Sequence, residues 1–161
     1  KKYDVSFWAV ESHPSRTKAL EILETRFDCE KNGTIRDQKF HKYSRKGKFY
    51  LEEIARCKVV INIRGCGWDT MRYWEVPAMD TFMITQKPQI LIPNDFRNGV
   101  EVVYCQDDLS DLVDLCEHYL KNDEKREKIA QASYKRLLEY HTDVHRARYI
   151  LNFFIPGNRS I

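Results

Sequence analysis

Cys57-Lys58-Val59-Val60-Ile61-Asn62-Ile63-Arg64-Gly65-Cys66-Gly67-Trp68-Asp69-Thr70-Met71-Arg72-Tyr73-Trp74-Glu75 decides the fold. Residues 59–63 are a β-branched apolar run, a turn with two glycines follows, and Met71, Trp74 and Ala78 then recur at helical spacing, which reads as strand, tight loop and helix. The run is polar only at its ends, as in an interior strand of a parallel sheet covered on both faces. The same geometry suits an anion. A glycine loop lets backbone N–H groups approach a ligand, a helix start adds unpaired N–H groups and a positive dipole end, and Arg64 and Arg72 flank the spot with fork-shaped donors. Connections of this type also occur in α/β proteins that bind nothing, so the loop alone names no ligand.

Upstream, residues 3–9 are apolar and short enough for a buried strand, and Pro14 opens a helix whose Ala19, Leu20, Ile22 and Leu23 share one face. The loop between them carries Glu11, His13 and Arg16 and, in a parallel sheet, lies on the same edge as the 64–70 loop. A second strand is expected at residues 27–31 and a turn at Asn32-Gly33-Thr34. Lys39, Lys42, Arg45, Lys46 and Lys48 then form a basic cluster interleaved with Phe40, Tyr43, Phe49 and Tyr50, and Tyr50, Ile54 and Ala55 give a short helix feeding the central strand.

Downstream, strands are expected at residues 81–85 and 100–104, with a short apolar strand or loop at 88–93 between them. From Asp108 onward, Leu109, Leu112, Val113, Leu115, Cys116 and Leu120 make one buried helical face. Asn122-Asp123 breaks it, a second helix runs through Ile129, Ala130, Tyr134, Leu137 and Leu138, and a third follows a Thr142 cap. This alternation predicts one domain over residues 1–161: a three-layer, doubly wound α/β fold with about five or six parallel strands and extra C-terminal helices.

The chain's 161 residues, 42% apolar and 12% aromatic, suffice for a real core. A net charge of +3 with alternating signs gives no field for nucleic acid or an anionic membrane, and the basic cluster reads as a solvated loop because no RNA-binding motif surrounds it. Five scattered cysteines without a C-x-x-C pair fit reduced, buried thiols in a cytoplasmic protein. No signal peptide and no long apolar run supports a membrane span. The chain opens Lys1-Lys2-Tyr3 without an initiator Met, which reads as a piece of something longer.

Gly65-x-Gly67-x-x-Thr70 misses the dinucleotide fingerprint, and the next strand ends Thr85-Gln86-Lys87 without a ribose-binding acid. No Gly-Lys-Ser/Thr P-loop and no Gly-x-Ser-x-Gly elbow occurs. His141 and His145 stand four apart, but His141 precedes the Thr142 cap and neither a zincin glutamate nor a third ligand accompanies them. With no Asp-x-Asp either, no metal and no cofactor is expected.

Asn62-Ile63-Arg64-Gly65-x-Gly67-Trp68-Asp69-Thr70-x-Arg72-x-Trp74-Glu75, then a strand, then Val102-Val103-Tyr104 before an Asp-rich helix start, and finally His141-Thr142 with Arg146, resembles the C-terminal half of GT-B glycosyltransferases. The nearest likeness is to group 1-like enzymes of the spore-maturation (CgeB) type. The resemblance implies a Rossmann-like domain that binds a nucleotide-sugar donor. Arg16, Arg64 and Arg72 with the amides of Gly65, Gly67, Trp68, Asp69 and Thr70 would meet the diphosphate, Glu75 the ribose, and the Trp68 ring would line the donor pocket. It further implies metal-independent hexosyl transfer to an unknown acceptor, with acceptor and any base supplied by an N-terminal half, so that the chain alone transfers no sugar. Its catalytic residues are not assigned. Where many such enzymes carry a further glutamate and a glycine, this chain has Gly67 and Asp80. The competing class is a non-catalytic Rossmann-like module that binds a nucleotide or a protein and regulates.

Overall fold

The computed structural model describes residues 1–9, 12–27 and 47–154, apart from the Phe153 side chain. All but Phe27 of the expected strand at 27–31, the turn at 32–34, most of the basic cluster, Glu11 and Cys29 lie outside the described residues.

Among the described residues, four parallel strands form one sheet: β1 (Tyr3–Ser6), β2 (Cys57–Asn62), β3 (Phe82–Gln86) and β4 (Val103–Cys105), in that spatial order. Val5 stands opposite Val59, Ile61 opposite Ile84, and Ile84 opposite Val103, so β2 is interior. Its side chains point alternately into two cores, and Val59, Val60 and Ile61 are each at most 1% exposed. Burial of this completeness is worth about 1.5–3 kcal/mol per aliphatic side chain, which is why a continuous apolar run belongs at the centre.

Among the described residues, six helices accompany the sheet. On one face α1 (Pro14–Glu24) and α4 (Leu112–Leu120) set Leu20, Leu23, Leu112 and Cys116 against Val5, Val59, Ile61 and Ile84. On the other, α2 (Lys48–Ala55) and α3 (Met71–Ala78) set Ile54, Tyr73 and Val76 against Val60 and Met83. α5 (Asp123–Tyr140) belongs to both: Ile129 and Ala130 join the first core and Leu137 the second. α6 (Asp143–Phe154) follows Thr142, whose Oγ1 accepts from the His145 N–H at 3.4 Å, the expected cap. The result is a Rossmann-like, doubly wound α/β arrangement with additional C-terminal helices. Among the described residues no helix is long and apolar enough to cross a membrane.

Several local expectations shift. The last strand is shorter and later than 100–104, because Val100 and Glu101 lie in a turn where the Glu101 carboxylate accepts from the Arg97 N–H at 2.9 Å. Residues 88–93 form a loop. α4 begins at Leu112, not Asp108: Leu109 takes a left-handed φ of 64° that buries its side chain ahead of the helix. Cys57, Cys105 and Cys116 are buried as expected, whereas Cys66 is exposed on the glycine loop.

Candidate functional site

Two loops meet at the carboxyl edge of the sheet, where open α/β sheets hold ligands. His13 caps α1 by accepting the Ser15 N–H on Nδ1 at 3.1 Å, and Pro14 supplies the first helical φ. Arg16 thereby points back over the end of β2. Its Nε donates to the carbonyls of Ile63 at 3.2 Å and Arg64 at 3.0 Å, and its Nη1 to Ser12 Oγ at 3.0 Å. Gly65 makes room for this arginine, since a Cβ at that position would lie 3.0 Å from Arg16 Nη2 and 3.1 Å from Ser12 Oγ and would press on both. A Cβ at Gly67 would meet nothing within 4 Å, so that glycine leaves open space instead of relieving a clash.

The loop is tied beneath by a chain of side chains. Thr70 Oγ1 donates to Asn62 Oδ1 at 2.8 Å, and Asn62 Nδ2 donates to Thr85 Oγ1 at 3.0 Å. Thr70 is the N-cap residue of α3 by backbone conformation, yet its hydroxyl is spent on Asn62 and does not cap the helix. Of the first-turn N–H groups of α3, that of Tyr73 is taken by the Thr70 carbonyl at 3.1 Å, and the positive end of the helix lies at the edge where Arg72 stands.

Arg72 is 8% exposed, and its Nε and Nη1 are buried without a hydrogen-bond partner among the described residues. An unmet buried donor costs about 1–3 kcal/mol, more when charged, so this guanidinium is held in a costly state. It shares a cavity of about 430 Å³ with Ser12, Arg16, Tyr50, Gly65, Gly67, Asp69, Thr70 and Glu75. Burial, and then the charge of Arg72, lower the pKa of Arg16 to about 10; it stays protonated near neutrality, but an anion between the two guanidiniums would relieve both.

Seven of the nine expected site residues therefore come together: Arg16, Gly65, Gly67, Asp69, Thr70, Arg72 and Glu75. Arg64 and Trp68 do not line this cavity; the Arg64 guanidinium instead lies 4.4 Å from the Trp68 ring centroid. Tyr50 and Ser12 were not foreseen. Tyr50 arrives from α2, packs against Trp8 with ring centroids 5.8 Å apart, and faces Arg72 and Glu75; burial chiefly pushes its ionisation up. No local pattern marks it, because only the packing of α2 on α3 brings it there.

Residues 17–152 match the family described as glycosyl transferase-like. The chain belongs to that family. No curated protein matches it. In this glycosyl transferase-like chain the matched span holds β2, the glycine loop, α3 and the C-terminal helices, so the family's span includes the cavity wall that carries Arg72 and Glu75.

A second cavity of about 430 Å³ adjoins the first, between Trp74, the 90–94 loop and α6. The Trp74 indole donates from Nε1 to Asp69 Oδ1 at 2.7 Å and lies under the Arg146 guanidinium, 4.0 Å from the ring centroid. His141 packs against Trp74 at 4.8 Å, and its Nε2 is 3.0 Å from the Asn94 carbonyl oxygen. His145 Nδ1 is engaged by Thr142 Oγ1 at 2.8 Å, so the two imidazoles serve separate packing contacts.

Proposed function

We propose that this glycosyl transferase-like chain binds the diphosphate of a nucleotide-sugar donor and stabilises the departing nucleoside diphosphate during glycosyl transfer. The observation that carries the reading is Arg72: a buried guanidinium with two donors unmet among the described residues, beside Arg16, at the start of a helix whose cap residue makes no side-chain cap hydrogen bond. A diphosphate supplies the missing acceptors, and preorganised donors around a developing anion are electrostatic catalysis. Arg16, Arg72 and the amides of Gly65, Gly67, Asp69 and Thr70 take the phosphates, Glu75 accepts from the ribose hydroxyls, and Arg64 stacked on Trp68 stiffens the rim of the loop. The arginines carry the charge that a metal carries elsewhere, so no metal or cofactor enters this reading.

The finer likeness, to the spore-maturation (CgeB) type, belongs to the same proposal, as does an acceptor bound on a second domain across a cleft. Positioning two reactants supplies about 7–11 kcal/mol of barrier reduction, and a donor domain alone forgoes it. Calorimetry of the chain with UDP, GDP, ADP and their sugars tests donor binding. Binding of at least one nucleotide without multiple-turnover transfer is expected; no binding of any nucleotide would sink the proposal.

A further inference from the structure

Cys66 stands at the apex of the glycine loop. The Gly65 N–H bonds to the Gly67 carbonyl at 3.2 Å, so the chain reverses around Cys66, and neither neighbour has a side chain to screen its sulfur. A Cβ at Gly67 would meet nothing within 4 Å, so the approach from that side is open. The exposed Cys66 thiol donates to the Ser12 carbonyl at 3.5 Å, while the Ser12 hydroxyl accepts from Arg16 Nη1 at 3.0 Å. The sulfur is thereby held on the side of a guanidinium. Burial and then Arg72 lower the Arg16 pKa, and charge on Cys66 acts in the opposite sense, so the two groups feel one another's charge.

The other described cysteines behave differently. Cys57, Cys105 and Cys116 are buried, and burial chiefly pushes the Cys105 thiol up to about 12. A reactive thiol needs access and electropositive surroundings, and among the described thiols Cys66 alone is accessible. The cavity selects the reagent. Cys66 lines it together with Arg72, whose side chain is more than nine-tenths buried with Nε and Nη1 unmet among the described residues. A disulfide that carries an acidic group offers its sulfur to Cys66 and its carboxylate oxygens to those donors, as charge-assisted hydrogen bonds.

We infer that Cys66 is a modification site for small anionic disulfides, with an acidic group of the reagent held at Arg16 and Arg72 while its sulfur–sulfur bond is exchanged. The Cys66 thiol gives its proton to solvent and its Sγ attacks one sulfur of the reagent. The new Sγ–S bond forms as the reagent's S–S bond breaks, and the other half leaves as a thiolate with the bonding electron pair. Cys66 is oxidised to the mixed disulfide and the departing half is reduced, so no further oxidant enters, and excess small thiol reverses the step. The adduct's acidic group fills the anion cavity and excludes a nucleoside diphosphate; that consequence alone rests on the donor-binding reading above.

The experiment compares rates of thiolate release from dithiobis(nitrobenzoate), which carries two carboxylates, and from uncharged dithiodipyridine, each normalised to its rate with mercaptoethanol, with the modified cysteine located by peptide mass mapping. The native chain is expected to react at Cys66 about tenfold faster with the anionic reagent after normalisation, and Cys66→Ser to lose that fast phase. Arg72→Met is expected to lose the preference, and inorganic pyrophosphate to slow the anionic reagent on the native chain more than the neutral one. Equal normalised rates, a preference that survives both Arg72→Met and pyrophosphate, or a fast phase mapped to another cysteine overturns the site. Calorimetry with UDP, GDP and ADP then reads the consequence: the modified native chain is expected to lose binding that Cys66→Ser keeps after the same treatment, and binding retained by the modified chain overturns the exclusion. If the untreated chain binds none of the three, the donor-binding reading fails while the reagent preference still decides the site.

Discussion

Among the described residues, Arg72 keeps Nε and Nη1 buried and unpartnered although Glu75, one helical turn further along α3, lines the same cavity. An i,i+3 carboxylate is the cheapest partner a helical arginine can have, and here it is not used. The unpaired state favours ligand over fold. Arg72→Met is therefore expected to raise the stability of the ligand-free chain by about 1 kcal/mol in urea titration, since it removes orphaned donors while keeping apolar volume. The same variant is expected to weaken nucleotide binding by about 1.5–3 kcal/mol, tenfold or more, in calorimetry. A less stable variant with native affinity would make Arg72 a purely structural residue.

The two loop glycines predict opposite outcomes. Gly65→Ala sets a methyl 3.0 Å from Arg16 Nη2, and Arg16 is pinned by its bonds to Ile63 and Arg64, so the substitution is expected to cost about 1–3 kcal/mol and to weaken nucleotide binding. Gly67→Ala meets open space and is expected to change stability by less than about 0.5 kcal/mol. Paired melting curves separate them; equal destabilisation would show that the loop tolerates no side chain anywhere.

Asp80 holds a φ of 47° immediately after α3, where the Thr81 N–H bonds to the Val76 carbonyl and the Asp80 N–H to the Pro77 carbonyl. This is the closing turn that glycine serves best, and Asp occupies it at a backbone cost. Asp80→Gly is expected to stabilise the chain by about 0.5–1 kcal/mol, read as a higher Tm. A lower Tm would mean that the Asp80 side chain contributes more than its backbone costs.

His141 has its pKa lowered, first by burial and also by the charge of Arg146, against a hydrogen bond to Asn94 that acts in the opposite sense. A histidine with a folded pKa below its unfolded value of about 6.5 binds fewer protons when folded, so its contribution is complete above that pH and falls as the solution is acidified toward the folded pKa. Urea titrations at pH 7.5 and 5.5 are expected to show the native chain losing more stability on acidification than His141→Gln does. Identical losses would exclude His141 as a source of the acid sensitivity.

The order of elements was legible wherever periodicity was local. The β-branched run of β2, Pro14 at the start of α1 and the Asn122 break before α5 each announce themselves within a few residues. The Leu109 detour did not, because its left-handed backbone is imposed by the core and no glycine signals it. At the site, the arginines and glycines could be named from the loop, but their division of labour could not. Arg64 and Arg72 look equivalent along the chain; the strand-to-helix geometry turns the first onto Trp68 and buries the second. Tyr50 and the contact of Arg146 with Trp74 were invisible, since each joins segments far apart in sequence.

The path from Arg146 through Trp74 to Asp69 gives the site an order of assembly. Chains emerge from the ribosome N-terminus first, and the residues that line the cavity around Arg72 all fall within 12–75. The indole that holds the Asp69 carboxylate acquires its Arg146 cover only when α6 packs back onto it. A nascent chain halted before residue 143 would already contain Trp74 and Asp69 but lack the Arg146 guanidinium over the indole, so the packing that steadies this rim comes later than the cationic wall.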